Sequence, residues 1–335
     1  MKVQLGKTKM RVCKDGFGAL PIQRVSDEES TALLQRALEG GIDFFDTARM
    51  YTNSEEKIGL ALSQKRSSYI LATKTAAHTV EKFWEDLHTS LQKLRTDYVD
   101  LYQFHNLDEC PLPGDGTGLY EAMAEAKKQG KIRFVGLTNH RLQVAKQAVE
   151  SGLYDTLQYP FSYLSSREEE DLVRLCEQLD VGFIAMKALS GGLITDIGAA
   201  RSWMARFESV VPIWGIQRMQ ELEQLLQAMQ GPPEITAAQK RRIEEDRKEL
   251  VGAFCRGCGY CEPCPANIDI KICARISLLL RRAPSADYLT PAWQAEMAKI
   301  DNCVECGACA QRCPYGLEPH TLLKKNHADY LNFMQ

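Results

Sequence analysis

Ile70-Leu71-Ala72-Thr73, then Val80–Leu94, then Val99-Asp100-Leu101-Tyr102-Gln103-Phe104-His105 read as a strand, an amphipathic helix and a second strand. Runs this apolar suit parallel strands covered on both faces. The same unit recurs outward in both directions. Upstream lie strand candidates Phe17–Leu20 and Ile42–Asp46, and downstream Phe134–Thr138, Thr156–Tyr159, Gly182–Met186 and Val210–Ile213. The helical runs between them are Asp27–Glu39, Leu119–Gln129, Leu142–Glu150, Glu168–Leu179 and Met219–Met229. Ser26 three residues before Glu29 predicts a capping box, and Gly40-Gly41 a helix stop. Val3–Leu5 and Met10–Val12 flank Gly6-Lys7-Thr8-Lys9, a short hairpin signal. Eight strands in about 230 residues predict an α/β fold, a (β/α)8 TIM barrel. A doubly wound sheet competes, but Phe17-Gly18-Ala19-Leu20-Pro21 lacks a dinucleotide fingerprint.

The repeat stops at Gly231-Pro232-Pro233, so the barrel is expected over 1–230. A charged helix, Thr236–Leu250, reads as a solvated spacer within a linker over 231–250. The remainder, 251–335, carries Cys255-Arg256-Gly257-Cys258-Gly259-Tyr260-Cys261-Glu262-Pro263-Cys264-Pro265 and Cys303-Val304-Glu305-Cys306-Gly307-Ala308-Cys309-Ala310-Gln311-Arg312-Cys313-Pro314. The second run has the bacterial ferredoxin spacing, and the first is one residue short before its fourth cysteine. Soft thiolates at this spacing suit two 4Fe-4S clusters, and paired runs of this kind exchange the fourth ligand. Cys255, Cys258 and Cys261 then share one cluster with Cys313, and Cys303, Cys306 and Cys309 share the other with Cys264. Zinc is the competing metal, but zinc knuckles come as separated cysteine pairs. Ile268–Leu280 and Pro291–Ile300 read as helices, which predicts an α-helical ferredoxin-like domain, and Pro319–Phe333 as a docking helix closing it.

The 335 residues are 44% hydrophobic and 25% charged, with a net charge of -3, which gives no reason to expect nucleic acid or an anionic membrane as partner. No apolar segment suits a signal peptide or a membrane span. Eight of the twelve cysteines fall in the two runs, which fits a reducing cytoplasm. Cys13, Cys110, Cys176 and Cys273 stand outside them and are expected to be small buried residues.

In a barrel of this kind catalytic groups sit at the carboxyl ends of the strands. Those ends supply Asp46 with Tyr51 in the following loop, then Lys74, then His105. Singly each has a bland explanation, a solvated lysine or a hydrogen-bonded histidine. On three consecutive strand ends they meet at one mouth.

Taken together, GIDFFDTARMYTNSEEKIGLAL (41–62), LATKT (71–75), DYVDLYQFHN (97–106), VGLTN (135–139) and LQYPFSY (157–163) resemble the aldo-keto reductases. The cysteine region narrows the resemblance to the ferredoxin-type members, which carry a C-terminal domain with two 4Fe-4S clusters. The resemblance implies a tetrad: Tyr51 as general acid, Lys74 and Asp46 beside it, and His105 orienting the carbonyl. Physically, a nearby ammonium is expected to lower the tyrosine pKa from its usual value of about 10. The resemblance further implies that Thr138, Asn139 and Gln158 hold a nicotinamide carboxamide and that Met186 covers the ring, where the family has an aromatic. Gly191 and Gly192, and Gly215 and Arg218, then fall at phosphate positions. The implied cofactor is NAD(H) or NADP(H), and Glu221 near the expected 2′-phosphate position favours NADH. No flavin signature accompanies the phosphate loop.

Two functions follow. One is a nicotinamide-dependent oxidoreductase interconverting a small carbonyl compound and its alcohol, with clusters that couple it to a ferredoxin or flavoprotein. The other is an electron-transfer protein whose barrel only docks a partner or cofactor. A complete tetrad argues for the first.

Overall fold

The computed structural model describes residues 1–231, 234–250, 254–282 and 285–334. Pro232 and Pro233, where the repeat was expected to break, lie outside them. Two compact units result: Met1–Ala188 with Ile197–Thr236, and Leu189–Asp196 with Ala237–Gln335. The segment Leu189–Asp196 follows a barrel strand in the chain, yet its contacts group it with the second unit.

The first unit opens with a hairpin, β1 (Lys2–Gln4) antiparallel to β2 (Arg11–Cys13). Eight parallel strands then close a barrel: β3 (Gly16–Gly18), β4 (Phe44–Asp46), β5 (Ile70–Thr75), β6 (Val99–His105), β7 (Ile132–Thr138), β8 (Thr156–Pro160), β9 (Gly182–Met186) and β10 (Val210–Gly215), with β10 pairing β3. This is the expected TIM barrel. The first strand is shorter than the apolar run suggested, because Pro21 opens a 3-10 turn over Pro21–Arg24. Two helices were not foreseen: Ser54–Leu62, which lies inside the stretch 41–62, and Ile197–Met204. The capping box at Ser26 and Glu29 forms as expected.

Strand alternation explains why the barrel carries a site. Phe44, Ala72, Leu101, Ile184 and Ile213 point inward as one apolar layer, sealed from below by Leu5 and Val12 of the hairpin. Each fully buried aliphatic side chain contributes about 1.5–3 kcal/mol. Two residues further along β4, β5 and β6, on the same face, stand Asp46, Lys74 and Gln103. The inner face therefore changes from hydrocarbon to polar within one pleat. Gly136 leaves the room this layer needs, since a Cβ there would meet Gln103 Cγ at 2.8 Å.

In the second unit, Ala237–Glu249 forms the expected charged helix. The run expected as one helix over Ile268–Leu280 is two, Ile270–Cys273 and Ile276–Arg282, broken at Ala274-Arg275. Pro291–Ala298 and Pro319–Phe333 follow. Asn326 fastens the last helix to the broken pair: its Oδ1 accepts from Ser277 N at 3.0 Å and its Nδ2 donates to Ala274 O at 3.2 Å. Cys13, Cys110, Cys176 and Cys273 are all buried, as expected.

Candidate active site and cysteine-lined cavity

Lys74 is wholly buried, and its Nζ donates to Asp46 Oδ1 at 2.5 Å and to Thr47 O at 2.7 Å. Burial pushes Asp46 up and Lys74 down, and their contact opposes both shifts. Gln103 and Gln158 extend the pair into a network. Gln103 Nε2 donates to Asp46 Oδ2 at 3.3 Å and to Gln158 Oε1 at 2.9 Å, and Gln158 Nε2 reaches Asp46 Oδ1 at 3.4 Å. Gln103 escaped the sequence reading because it sits mid-strand. Counting two residues back from His105 on the same face finds it.

Above this layer, Lys74 Nζ stands 5.3 Å from the centre of the Tyr51 ring. Tyr51 and His105 meet edge to face, ring centres 5.8 Å apart at 83°. Both keep some accessible surface, though protein surrounds each ring on nearly all sides. The tetrad residues thus come together. The expected lowering of the tyrosine pKa does not occur: burial first, and then the Asp46 charge, push Tyr51 far above its ordinary value. The ammonium that was to lower it is already engaged by Asp46 and Thr47. His105 is pushed down to about 3, by burial first and the Lys74 charge second, so it is neutral at ordinary pH. Its Nδ1 has no hydrogen-bond partner.

The loop that presents Tyr51 is built rigidly. Thr47 Oγ1 and Ser54 Oγ bond at 2.9 Å, and Ser54 N donates to Tyr51 O at 2.7 Å. Buried Glu55 pairs with Arg49 and accepts from Thr73 Oγ1 at 2.6 Å, locking the loop to β5.

Around the mouth, Thr138 Oγ1 finds only the weak Met186 sulfur acceptor, at 3.8 Å. Asn139 instead serves its loop, donating to Leu107 O at 2.8 Å and accepting from Arg141 N at 2.8 Å. Gly215 ends β10 beside Gly18. Arg218 caps the helix Met219–Gln230, with its guanidinium on Glu221 at 2.7–2.9 Å. Glu221 also accepts the N–H groups of Gln217 and Arg218, so a carboxylate fills that helix end. Gly191 and Gly192, both left-handed at φ 66° and 92°, belong to the second unit.

In that unit Cys264, Cys303, Cys306 and Cys309 line one cavity, together with Cys261, His320 and Leu323. Cys264 comes from the first run and the others from the second. Burial first, and then the charges of Cys255 and Cys258, push the Cys261 thiol up to about 12, so those three are neighbours. The chain around Cys313 runs beside the first cysteine run: Arg312 donates to Pro263 O at 3.2 Å, and Arg256 stacks on Tyr315 at 4.9 Å. Among the described residues no three Cys, His, Asp or Glu side chains close on one ion-sized point. No helix among them is long and apolar enough to cross a membrane.

Comparison with known proteins agrees with both halves. A family model described as "Aldo/keto reductase family" matches residues 16–230, and one described as "4Fe-4S dicluster domain" matches residues 254–318. L-galactose dehydrogenase of Arabidopsis thaliana is 30% identical over 213 residues, covering 58% of this chain and 67% of its own. The uncharacterized oxidoreductase YqkF of Bacillus subtilis is also 30% identical, over 215 residues, with the same shares. Among solved structures, an aldo-keto reductase of Bacillus halodurans in its holo form superposes with a TM-score of 0.65 at 23% identity, covering 75% of this chain and 97% of its own, a likeness of fold.

Proposed function

The chain belongs to the aldo/keto reductase family of oxidoreductases, and from that premise we propose that its barrel interconverts a small carbonyl compound and its alcohol with a nicotinamide nucleotide as hydride partner. The observation that carries this is the buried Lys74–Asp46 pair beneath Tyr51 and His105. A nicotinamide nucleotide, when bound, supplies the hydride. Tyr51, protonated throughout the ordinary pH range in the free protein, gives its hydroxyl proton to the carbonyl oxygen and takes it back in the oxidative direction. Neutral His105, edge to face with Tyr51, positions that oxygen. Lys74, 5.3 Å from the Tyr51 ring centre, is a cation beside the phenolate that forms, and Asp46 holds it there.

Thr138 and Gln158 are suited to the nicotinamide carboxamide, Asn139 shapes their loop, and Met186 covers the ring. Gly215 and Arg218 are assigned to the phosphates, whereas Gly191 and Gly192, expected there too, belong to the second unit. Glu221 neutralises Arg218 and occupies the helix end, which disfavours a 2′-phosphate and supports NADH over NADPH. The name of the plant relative keeps sugar-like alcohols in the substrate panel beside simple aldehydes and ketones.

The cysteines fit two 4Fe-4S clusters. The shared cavity of Cys264 with Cys303, Cys306 and Cys309 supports the exchanged fourth ligand. The neighbouring thiols Cys255, Cys258 and Cys261, with Cys313 on the adjacent segment, form the other set. A hydride carries an electron pair, whereas such a cluster moves single electrons, so coupling calls for a flavoprotein between them and a ferredoxin as further acceptor. The site of action is the cytoplasm, where thiols stay reduced.

The test is oxidation of NADH and NADPH by anaerobically purified protein over a panel of carbonyls and sugars. Turnover with at least one substrate, lost in Tyr51→Phe, is the expected result. Redox-active clusters without turnover of any carbonyl would overturn the catalytic reading in favour of an electron-transfer scaffold.

A further inference from the structure

Arg275 is only 4% exposed and stands in the break between the helices Ile270–Cys273 and Ile276–Arg282. Its Nη2 donates to the Gly191 carbonyl, and its Nε has no acceptor. Among the described residues no carboxylate lies within ion-pair distance of it. Isolated burial of a charge costs several kcal/mol, so a buried guanidinium left this way calls for an anion.

The surroundings indicate where that anion sits. A Cβ on Gly191 would lie 2.8 Å from Arg275 Nη1, and one on Gly257 only 2.5 Å from it. The guanidinium is therefore clamped between the Gly191 turn and the first cysteine run. Both glycines are left-handed, at φ 66° and 62°, which suits residues without side chains. Gly257 N donates to Cys255 Sγ at 3.4 Å, so the guanidinium faces the backbone that holds this thiol. An iron–sulfur centre with thiolate ligands is a net anion and becomes more negative on taking up an electron. A fixed cation beside it stabilises the reduced state more than the oxidised one, and such surroundings help set the potential.

We propose that Arg275 is the built-in counter-charge of the iron–sulfur centre held by Cys255, Cys258 and Cys261, and that it raises the reduction potential of that centre. This rests on the ligand assignment proposed above. Arg256, in the same run, provides the comparison, because its guanidinium is taken up by the rings of Phe254 and Tyr315 at 5.5 and 4.9 Å.

The experiment compares wild type, R275Q, R275K and R256Q as full chains purified anaerobically. Iron and sulfide are counted first, and each centre is then titrated by electron paramagnetic resonance against potential. The expected result is a negative shift of one centre in R275Q, near wild-type values in R275K, and a smaller shift in R256Q. An unchanged potential in R275Q with both centres present overturns the proposal. If R275Q loses the centre, retention in R275K near the wild-type potential supports the role of charge, and loss in both variants overturns it. A separate variant, C255S, guards the premise: if it leaves both centres intact, the ligand assignment fails, whatever Arg275 does.

Discussion

The barrel interior and the second unit bury charge in opposite ways. In the barrel, Lys74 and Asp46 neutralise each other, and Gln103 and Gln158 take up the spare lone pairs. In the second unit, Arg275 is buried with a backbone carbonyl as its hydrogen-bond partner, and among the described residues no three Cys, His, Asp or Glu side chains close on one ion-sized point. The first arrangement is complete in the polypeptide itself. The second acquires its missing charge and connections from a group the chain must be given. One unit is therefore expected to fold on its own hydrocarbon core, and the other to fold with its clusters.

Removing the clusters is the strongest way to break this contrast. Chelation of iron under reducing conditions should abolish the protease resistance of 254–334, while the barrel keeps its own thermal transition. Limited proteolysis followed by calorimetry reads both. An apo protein as resistant in its second unit as the holo protein would show that the two units are alike after all.

Within the barrel, Lys74→Met strands a buried carboxylate and should cost about 3–5 kcal/mol of stability. The double variant Asp46→Asn with Lys74→Met should recover part of that loss in denaturant titrations. Equal damage in both would mean that the pair is not the unit of stability. Tyr51→Phe is smaller in stability terms but lowers turnover by about 10²-fold or more, with nucleotide affinity nearly unchanged in fluorescence titration. An unaffected rate removes Tyr51 from proton transfer.

The smallest expected effect concerns pH. His105 has its pKa lowered from the ordinary 6.5 to about 3 by burial and Lys74. Below 6.5 the unfolded chain binds this proton and the folded chain does not, so stability falls as pH drops from 6.5 towards 3. His105→Gln should flatten that part of the stability profile. A slope identical to wild type would mean that His105 titrates normally in the folded protein.

Much of the barrel was legible because each strand–helix unit repeats the same apolar signature, and because strand ends in a closed barrel have to face one another. Asp46, Lys74 and His105 could be found from strand ends alone. Gln103 does not stand at a strand end and was missed, although counting two residues back from His105 on the same face finds it. Tyr51 lies beside Lys74 and His105, but its proton affinity was misjudged. That Asp46 holds the lysine was expected, but the Thr47 carbonyl on the same ammonium and the depth at which Tyr51 is buried were not. In the second unit the cysteine spacing was plain. Arg275 was hidden inside what read as one continuous helix, and its glycine neighbours lie far away in the chain.

The hairpin under the barrel carries a kinetic consequence. Leu5 and Val12 close the amino-terminal end of the strands, and Lys7 N fixes the plug to Asp180 O at 2.7 Å. The axis is thus filled with packed hydrocarbon at that end, and ligands reach Tyr51 and His105 from the opposite mouth. Any two ligands that stack along that axis must obey a queue: the deeper enters first and departs last. Steady-state inhibition patterns with two such ligands should accordingly be those of a compulsory order of addition.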